Sequence, residues 1–329
     1  MRNVYCARAF LLALLAVCLS WQRQVKAVGS SSETNNDSCA AGSDDDETYQ
    51  FFPSFPGGRV PYLGPETNEP FAFKHYNESE VVLGKTMKDW LRFSVAFWHT
   101  IRNDGSDPFG TPTKRWPWDE TCGDNGKMKD GTSGSTNIAI AKRRMRAIFE
   151  LMRKLGVDRW CFHDRDIAPP GKDFAETNSN LEQMADYALH LQRGTNIKPL
   201  WGTAQLFAEP HYMSGAATSP HVDVFIRAAA QVKKAMEVTL KLGGENFNFW
   251  GGREGYSYLP TTDIGKERKH AALFLRMAAN HWYDVLGATG TLLIEPKPQE
   301  PSKHQVRKNR NAQDSPHRLT VVPAVRLGR

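Results

Sequence analysis

Residues 152–166 read MRKLGVDRWCFHDRD. The stretch closes a helix on Leu155-Gly156, turns, enters a short apolar strand and ends on His163, Asp164, Arg165 and Asp166. The same order returns in LKLGGENFNFWGG (240–252) and YDVLGATGTLLIEPK (283–297). A further strand, KPLWGTA (198–204), follows a helical stretch at 181–192, and RFSVAFWHT (92–100) precedes them all. Strand ends near 98, 163, 203, 250 and 295 have the spacing of βα units. The strands read as apolar on both faces, as parallel strands under helices do. Five such units in a row place the chain in the α/β class, as a doubly wound sheet or as part of a (β/α)8 barrel.

The helices support that pattern. Ile138, Ala141, Met145, Ile148, Met152 and Leu155 recur at steps of three and four, and so do Phe225, Ala229, Val232, Met236 and Leu240. The second stripe starts behind Ser219-Pro220, a helix-entry signal. A chain of 329 residues with 17 Phe and 9 Trp can bury a sizeable core. The net charge of +6 does not mark a nucleic-acid surface. From Ser302 onward there are seven Lys or Arg against one acid, Asp314, so the remainder is close to neutral.

Arg2 and Arg8 precede an apolar run from Ala9 to Trp21, followed by the small-residue site Val25-Lys26-Ala27. The run is short for a membrane span and has the form of a secretory signal peptide over 1–27. A Ser-, Asn- and Asp-rich segment, 28–48, reads as a disordered linker. Sequons at Asn36 and Asn77 fit glycosylation in the endoplasmic reticulum lumen or beyond. Past the signal only Cys39, Cys122 and Cys161 remain, with no disulfide framework or metal-binding Cys/His spacing. No later segment has the length and apolarity of a membrane span. The polar insert CGDNGKMKDGTSGS (122–135) reads as a loop.

The polar residues collect at strand ends, where α/β folds place their chemistry. His163 and Asp166, three apart, suit a tautomer-fixed base, though read alone a pair satisfying loop backbone is the plainer account. Glu295 is a hard oxygen ligand of the kind Mg2+ or Mn2+ prefers. Lys297 projects to the same side within a Pro-rich segment that limits the freedom of both, although solvated loop charges would look alike. Trp250 in FWGGREG, and Trp98, suit the C–H face of a sugar or a plain core. GGREG lacks the dinucleotide-binding spacing, and neither a P-loop nor GxSxG occurs.

Together these segments resemble the longer class of xylose isomerases found in plants and many bacteria. They are FAFKHYN, RFSVAFWHT, DPFG, AKRRMRA, LGVDRWCFHDRDIAP, PLWGTAQLF, GAATSP, LGGENFNFWGGREGY and GTLLIEPKPQEPSKHQ, in order over roughly 70–305. The resemblance implies a TIM barrel that interconverts D-xylose and D-xylulose, with D-glucose as a further possible substrate. It implies two divalent cations, Mg2+, Mn2+ or Co2+, and a dimer or tetramer. It gives His163 the sugar ring oxygen, Asp166 the orientation of His163, Glu295 a metal, and Lys297 the carbonyl oxygen during hydride transfer. Trp98, Thr203, Phe207 and Trp250 would line the pocket, and Phe109 would complete that of a neighbouring subunit. Pro210-His211-Tyr212 departs from the family's usual Pro-Arg-Tyr.

Beyond Gln305 the family's later βα units and metal ligands do not follow. The expectation is a partial (β/α)8 TIM barrel of about five of eight βα units. An N-terminal extension at 49–92 would precede the incomplete barrel at 93–305, and an unstructured basic tail at 306–329 would follow it. Such a chain is expected to be inactive alone, or to act as a truncated isoform that co-assembles with full-length subunits or binds sugar weakly.

Overall fold

The computed structural model describes residues 50–101, 138–252, 254 and 262–295. The signal, linker and basic tail of the sequence reading, the insert at 122–135, and Asn36, Phe109 and Lys297 lie outside the described residues. The chain divides into two compact units, one running to Phe93 with Arg153–Gly156, the other comprising Ser94–Met152 and Val157 onward.

In the first unit, β1 (Val81–Val82) pairs antiparallel with β2 (Lys85–Thr86). Leu83 and Gly84 both take positive φ at the turn between them, the geometry of a tight hairpin that matches strand twist. Thr86 then caps the short helix α1 (Met87–Trp90), accepting from the Asp89 N–H at 3.1 Å. Phe73, Tyr76 and Phe93 stack edge to face at 5.6 and 5.5 Å. Asn77 lies in a turn, its carbonyl accepting from the Glu80 N–H at 3.1 Å.

The second unit is a five-stranded parallel sheet: β3 (Val95–Ala96), β4 (Arg159–His163), β5 (Lys198–Thr203), β6 (Asn246–Trp250) and β7 (Leu292–Glu295). The strands lie side by side in chain order, β3-β4-β5-β6-β7. A doubly wound sheet would reverse direction at a switch point. This sheet never does, so it winds as an arc of a (β/α)8 barrel. The helices are α2 (Phe97–Thr100), α3 (Ile138–Leu155), α4 (Asp164–Ile167), α5 (Phe174–Gln192), α6 (Val222–Lys241) and α7 (Ile264–Ala279). A π-helical turn, Asn280–Val285, extends α7.

The recurring Leu-Gly has a conformational cause. Gly243 takes φ 70° after α6, and the Gly244 N–H reaches back to the Thr239 carbonyl at 2.8 Å. The Val157 N–H does the same to Met152 at 3.0 Å past Gly156, whose φ is 71°. These are Schellman closures, which need a left-handed residue and therefore favour glycine.

The strands alternate more sharply than the sequence reading expected. Trp160, Phe162, Phe247 and Leu292 are all fully buried on one face. The first packs against α3, with Phe149 at 6.0 Å, and Phe247 stands 6.0 Å from Trp282. By the parallel register, Cys161, His163, Trp201, Thr203, Asn246, Asn248, Trp250 and Glu295 share the opposite face. Leu293, paired with Asn248, stands on that face too, but it is otherwise mostly polar and aromatic, so the strands are not uniformly apolar on both sides. Strand β3 also ends earlier than expected, at Ala96, and Trp98 sits in the helical turn α2.

Gly202 marks the closest approach of α6 to the sheet. A Cβ there would collide with the hydroxyl of Thr239, which is fully buried and donates to the Ala235 carbonyl at 2.7 Å. Gly202→Ala is expected to destabilise the fold by about 1–3 kcal/mol, read as a lower urea midpoint. Adding Thr239→Ala should recover part of the loss. An unchanged midpoint in the single variant would contradict this packing.

Candidate active site

His163 ends β4, and α4 begins at the next residue, so the chain folds back within one turn. That brings Asp166 beneath the imidazole. One carboxylate oxygen, Oδ2, accepts from the His163 backbone N–H at 3.0 Å and lies 2.7 Å from its Nδ1. An ionised carboxylate only accepts, so Nδ1 carries the proton and Nε2 is left as the basic nitrogen. Both residues are 6% exposed, which keeps water from competing for the pair.

Aromatic rings enclose the imidazole. Trp98 meets it at 4.6 Å, and Trp201 stands 5.5 Å from Trp98. Phe207 approaches the imidazole edge-on at 5.3 Å and meets Trp250 at 4.5 Å with an interplanar angle of 86°. The structure therefore brings Trp98, His163, Asp166, Phe207 and Trp250 into one cluster at the C-terminal end of the sheet. Flat ring faces around one basic nitrogen can hold a sugar by its C–H surfaces while a proton moves at an oxygen.

Thr203 lies beside His163 in register. Its hydroxyl donates to the Asn248 carbonyl at 2.6 Å, and the Asn248 side-chain N–H donates to Glu295 Oε2 at 2.6 Å. Hydrogen bonds thus run across three strands from Thr203 to Glu295. Asn248, 3% exposed, escaped the sequence reading. The alternation Asn246-Phe247-Asn248-Phe249 carried its signal, a period of two with polar residues on one face.

Cys161 shares the polar face and is buried. Burial pushes its thiol up to about 12, with Glu295 adding to the rise and the Ser94 hydroxyl opposing it. Glu295 is exposed at the end of β7. Among the described residues no group of three His, Cys, Asp or Glu side chains stands together to hold a metal ion. A two-cation centre does not fit these residues by themselves, because each ion needs several fixed oxygen or nitrogen donors. Lys297 and Phe109 belong to the expected site but lie outside the described residues.

Glu254, two residues past Gly252, follows Arg253 in sequence, where a structural ion pair would be the plain reading. Its carboxylate accepts instead from the backbone N–H groups of Ala216, Ala217 and Thr218 at 3.1, 2.7 and 3.1 Å, and from the Thr218 hydroxyl. It pins the loop before α6 to the chain just after Trp250. Beneath that loop lies a largely apolar cavity of about 370 Å³, lined by residues including Leu206, Phe249, Trp250 and Phe274. Glu254→Ala leaves three backbone donors to find other partners and should cost about 2 kcal/mol. Glu254→Gln should cost less because one oxygen still accepts. Chemical denaturation of the two variants distinguishes this clamp from a surface glutamate, for which both would match the parent.

Curated relatives of this chain include xylose isomerases from plants and bacteria. Over 267 residues the chain is 58% identical to a xylose isomerase of Hordeum vulgare, covering 81% of this chain and 52% of that protein. It is 56% identical over 261 residues to the Arabidopsis thaliana enzyme of that name, covering 79% of this chain and 51% of the other. It is 49% identical over 256 residues to that of Thermotoga petrophila, covering 78% and 54%. The chain therefore spans about half the length of the curated relatives it matches. No protein-family model matches it. Among solved structures, a D-tagatose 3-epimerase-like protein aligns over 44% of this chain and 46% of its own at 13% identity and a TM-score of 0.33, a likeness too low to decide anything.

Proposed function

We infer that this chain, which belongs to the xylose isomerase family across the 81% of its length that matches, carries the sugar-binding and ring-opening part of an aldose–ketose isomerase. The observation behind this reading is the His163–Asp166 pair, 2.7 Å apart inside a wall of aromatic rings. A cyclic sugar opens when a proton leaves its anomeric hydroxyl and another reaches its ring oxygen. His163 Nε2 would take the proton from the anomeric hydroxyl and return it to the ring oxygen, and Asp166 would hold the tautomer that leaves this nitrogen free to accept it. Trp98, Phe207 and Trp250 would shape the pocket, with Thr203 at its floor. D-xylose is the substrate proposed, D-xylulose the product and D-glucose a possible competitor.

The family's hydride shift uses two divalent cations, Mg2+, Mn2+ or Co2+, for which Glu295 is the proposed ligand here. Lys297 is the proposed donor to the carbonyl oxygen, and Phe109 the proposed contribution to a neighbouring subunit's pocket. Because the described residues do not complete a cation site, ring opening is the step assigned to them. The chain by itself is proposed not to isomerise. A second reading starts from the absence, among the described residues, of a group of side chains that could hold a metal ion. In that reading it is a non-catalytic partner that assembles with longer subunits.

Ring opening can be measured apart from isomerisation, because it accelerates the interconversion of α- and β-D-xylose. The protein should speed this mutarotation, followed by NMR, and His163→Asn should lower the effect about 100-fold while D-xylose still binds. Asp166→Asn should weaken it less. No acceleration by the parent protein sinks the ring-opening role. A coupled D-xylulose assay with Mn2+, run alone and with the barley relative, decides between the two readings. Turnover by the chain alone contradicts the first, and co-elution without turnover supports the second.

Entry into the secretory pathway is proposed from the apolar run at 9–21 and the sequons at Asn36 and Asn77. Protein expressed in plant cells should lose mass on treatment with an N-glycanase, and Asn36→Gln with Asn77→Gln should abolish that loss. An unmodified chain that retains its first 27 residues would overturn the assignment.

A further inference from the structure

The loop after β5 carries Phe207 and is tethered on both sides of it. Two residues before, the Gln205 N–H donates to Asp164 Oδ1 at 2.8 Å, and the Gln205 carbonyl accepts from Gln231 Nε2 at 3.2 Å. Two residues after, Glu209 accepts from Arg165 Nε at 2.9 Å and from Arg227 Nη2 at 3.2 Å, one bond to each oxygen. The two tethers meet in α4. Arg165 Nη1 donates to Asp164 Oδ2 at 3.1 Å, and Gln231 Nε2 donates to the same oxygen at 2.8 Å. Asp164 follows His163 directly, so the turn that orients the imidazole also anchors the loop facing it.

The charges fit this arrangement. Asp164 is 1% exposed, and burial pushes its carboxyl up, opposed by Arg165 and by the N–H groups of Gln205 and Gln231. Its four partners, which include its neighbour's backbone N–H at 2.9 Å, are all donors. That set suits the ionised carboxylate. Burial also works against ionised Glu209, but the bonds to Arg165 and Arg227 outweigh it and hold that group below the usual carboxylate range. Burial and the two arginines hold His211 below the usual histidine range, against the pull of Glu209. Its Nε2 is therefore an acceptor for Arg227 Nε at 2.9 Å.

We propose that Asp164 and Glu209 are positioning residues that set the distance between Phe207 and His163, and with it the width of the sugar pocket. The inference rests on the sugar-binding reading above only for its functional consequence. A free loop of this length would let Phe207 rotate away from a 5.3 Å contact. Tethers at 205 and 209 leave it little freedom, and the network that fixes them is buried where water competes poorly.

The test uses the whole chain with 13C-labelled phenylalanine, Phe207 being assigned by Phe207→Leu. Its ring signals should be displaced by the nearby rings of Trp250 and His163. In Glu209→Ala those signals should move toward random-coil positions, and the dissociation constant for D-xylose should rise about tenfold. The methyl signals of Ile167 and Val232, in the core, should stay in place. Glu209→Gln, which keeps one acceptor oxygen, should recover part of the Phe207 displacement and give an affinity between those of the parent and Glu209→Ala. Unmoved Phe207 signals in Glu209→Ala overturn the proposal. So does an equal displacement of the core methyls, which would mean general loosening. If the parent does not bind D-xylose, the sugar reading fails, and the Phe207 signals still decide whether Glu209 positions the ring.

Discussion

The site depends on the two-residue repeat of a parallel sheet. Because side chains alternate, one face of β4 to β7 can be wholly committed to packing under helices and the other to chemistry. Trp160, Phe162, Phe247 and Leu292 anchor the first face. His163, Thr203, Asn248 and Glu295 stand on the second in neighbouring strands, because the register places them there. A slip of one residue in any strand would put its polar side chain among the helices. The irregularity between β4 and β5, where Trp160 faces Pro199 and Cys161 faces Trp201, brings His163 level with Thr203.

Such a face carries a desolvation cost, and the structure meets it with hydrogen bonds. Buried polar groups are tolerable when each has a partner. His163 has Asp166, Thr203 has the Asn248 carbonyl, and the Asn248 side chain has Glu295. The same economy governs the loops. Glu254 satisfies three backbone N–H groups at 216–218, while Asp164 takes the Gln205 N–H. Charged residues that look like reactive groups in the sequence thus divide into two kinds. Some face the pocket, and others hold the backbone that shapes it.

Much of this was legible before folding. The apolar stripes of α3 and α6, the Leu-Gly closures and the polar strand ends follow local rules of periodicity and backbone conformation. The His163–Asp166 pair was legible for the same reason, since three residues across a strand-to-helix turn leave few other arrangements. The bonds made by Asn248 and Glu254 were not, although the alternation 246–249 marked the face of Asn248. Their partners lie 47 residues away at Glu295 and 36 to 38 residues away at 216–218, and local spacing carries no information about contacts at that range. Trp98 was assigned to a strand that ends at Ala96. Its aromatic and β-prone neighbours suit a strand, and the early turn is stabilised by packing, including Phe97 against Trp160 at 6.1 Å.

The sequence by itself determined the class of fold, the order of its units and the residue types gathered at the strand ends, because these follow from hydrophobic period, turn chemistry and motif. Local periods left a doubly wound sheet open until the resemblance implied a barrel, which the strand order bears out, and only the tertiary structure decided which acidic groups serve the backbone. It also decided which face of each strand meets the pocket. Those outcomes depend on which strand lies beside which, a property of long-range pairing. Two sequences with the same local periods can share every helix and strand and still differ there.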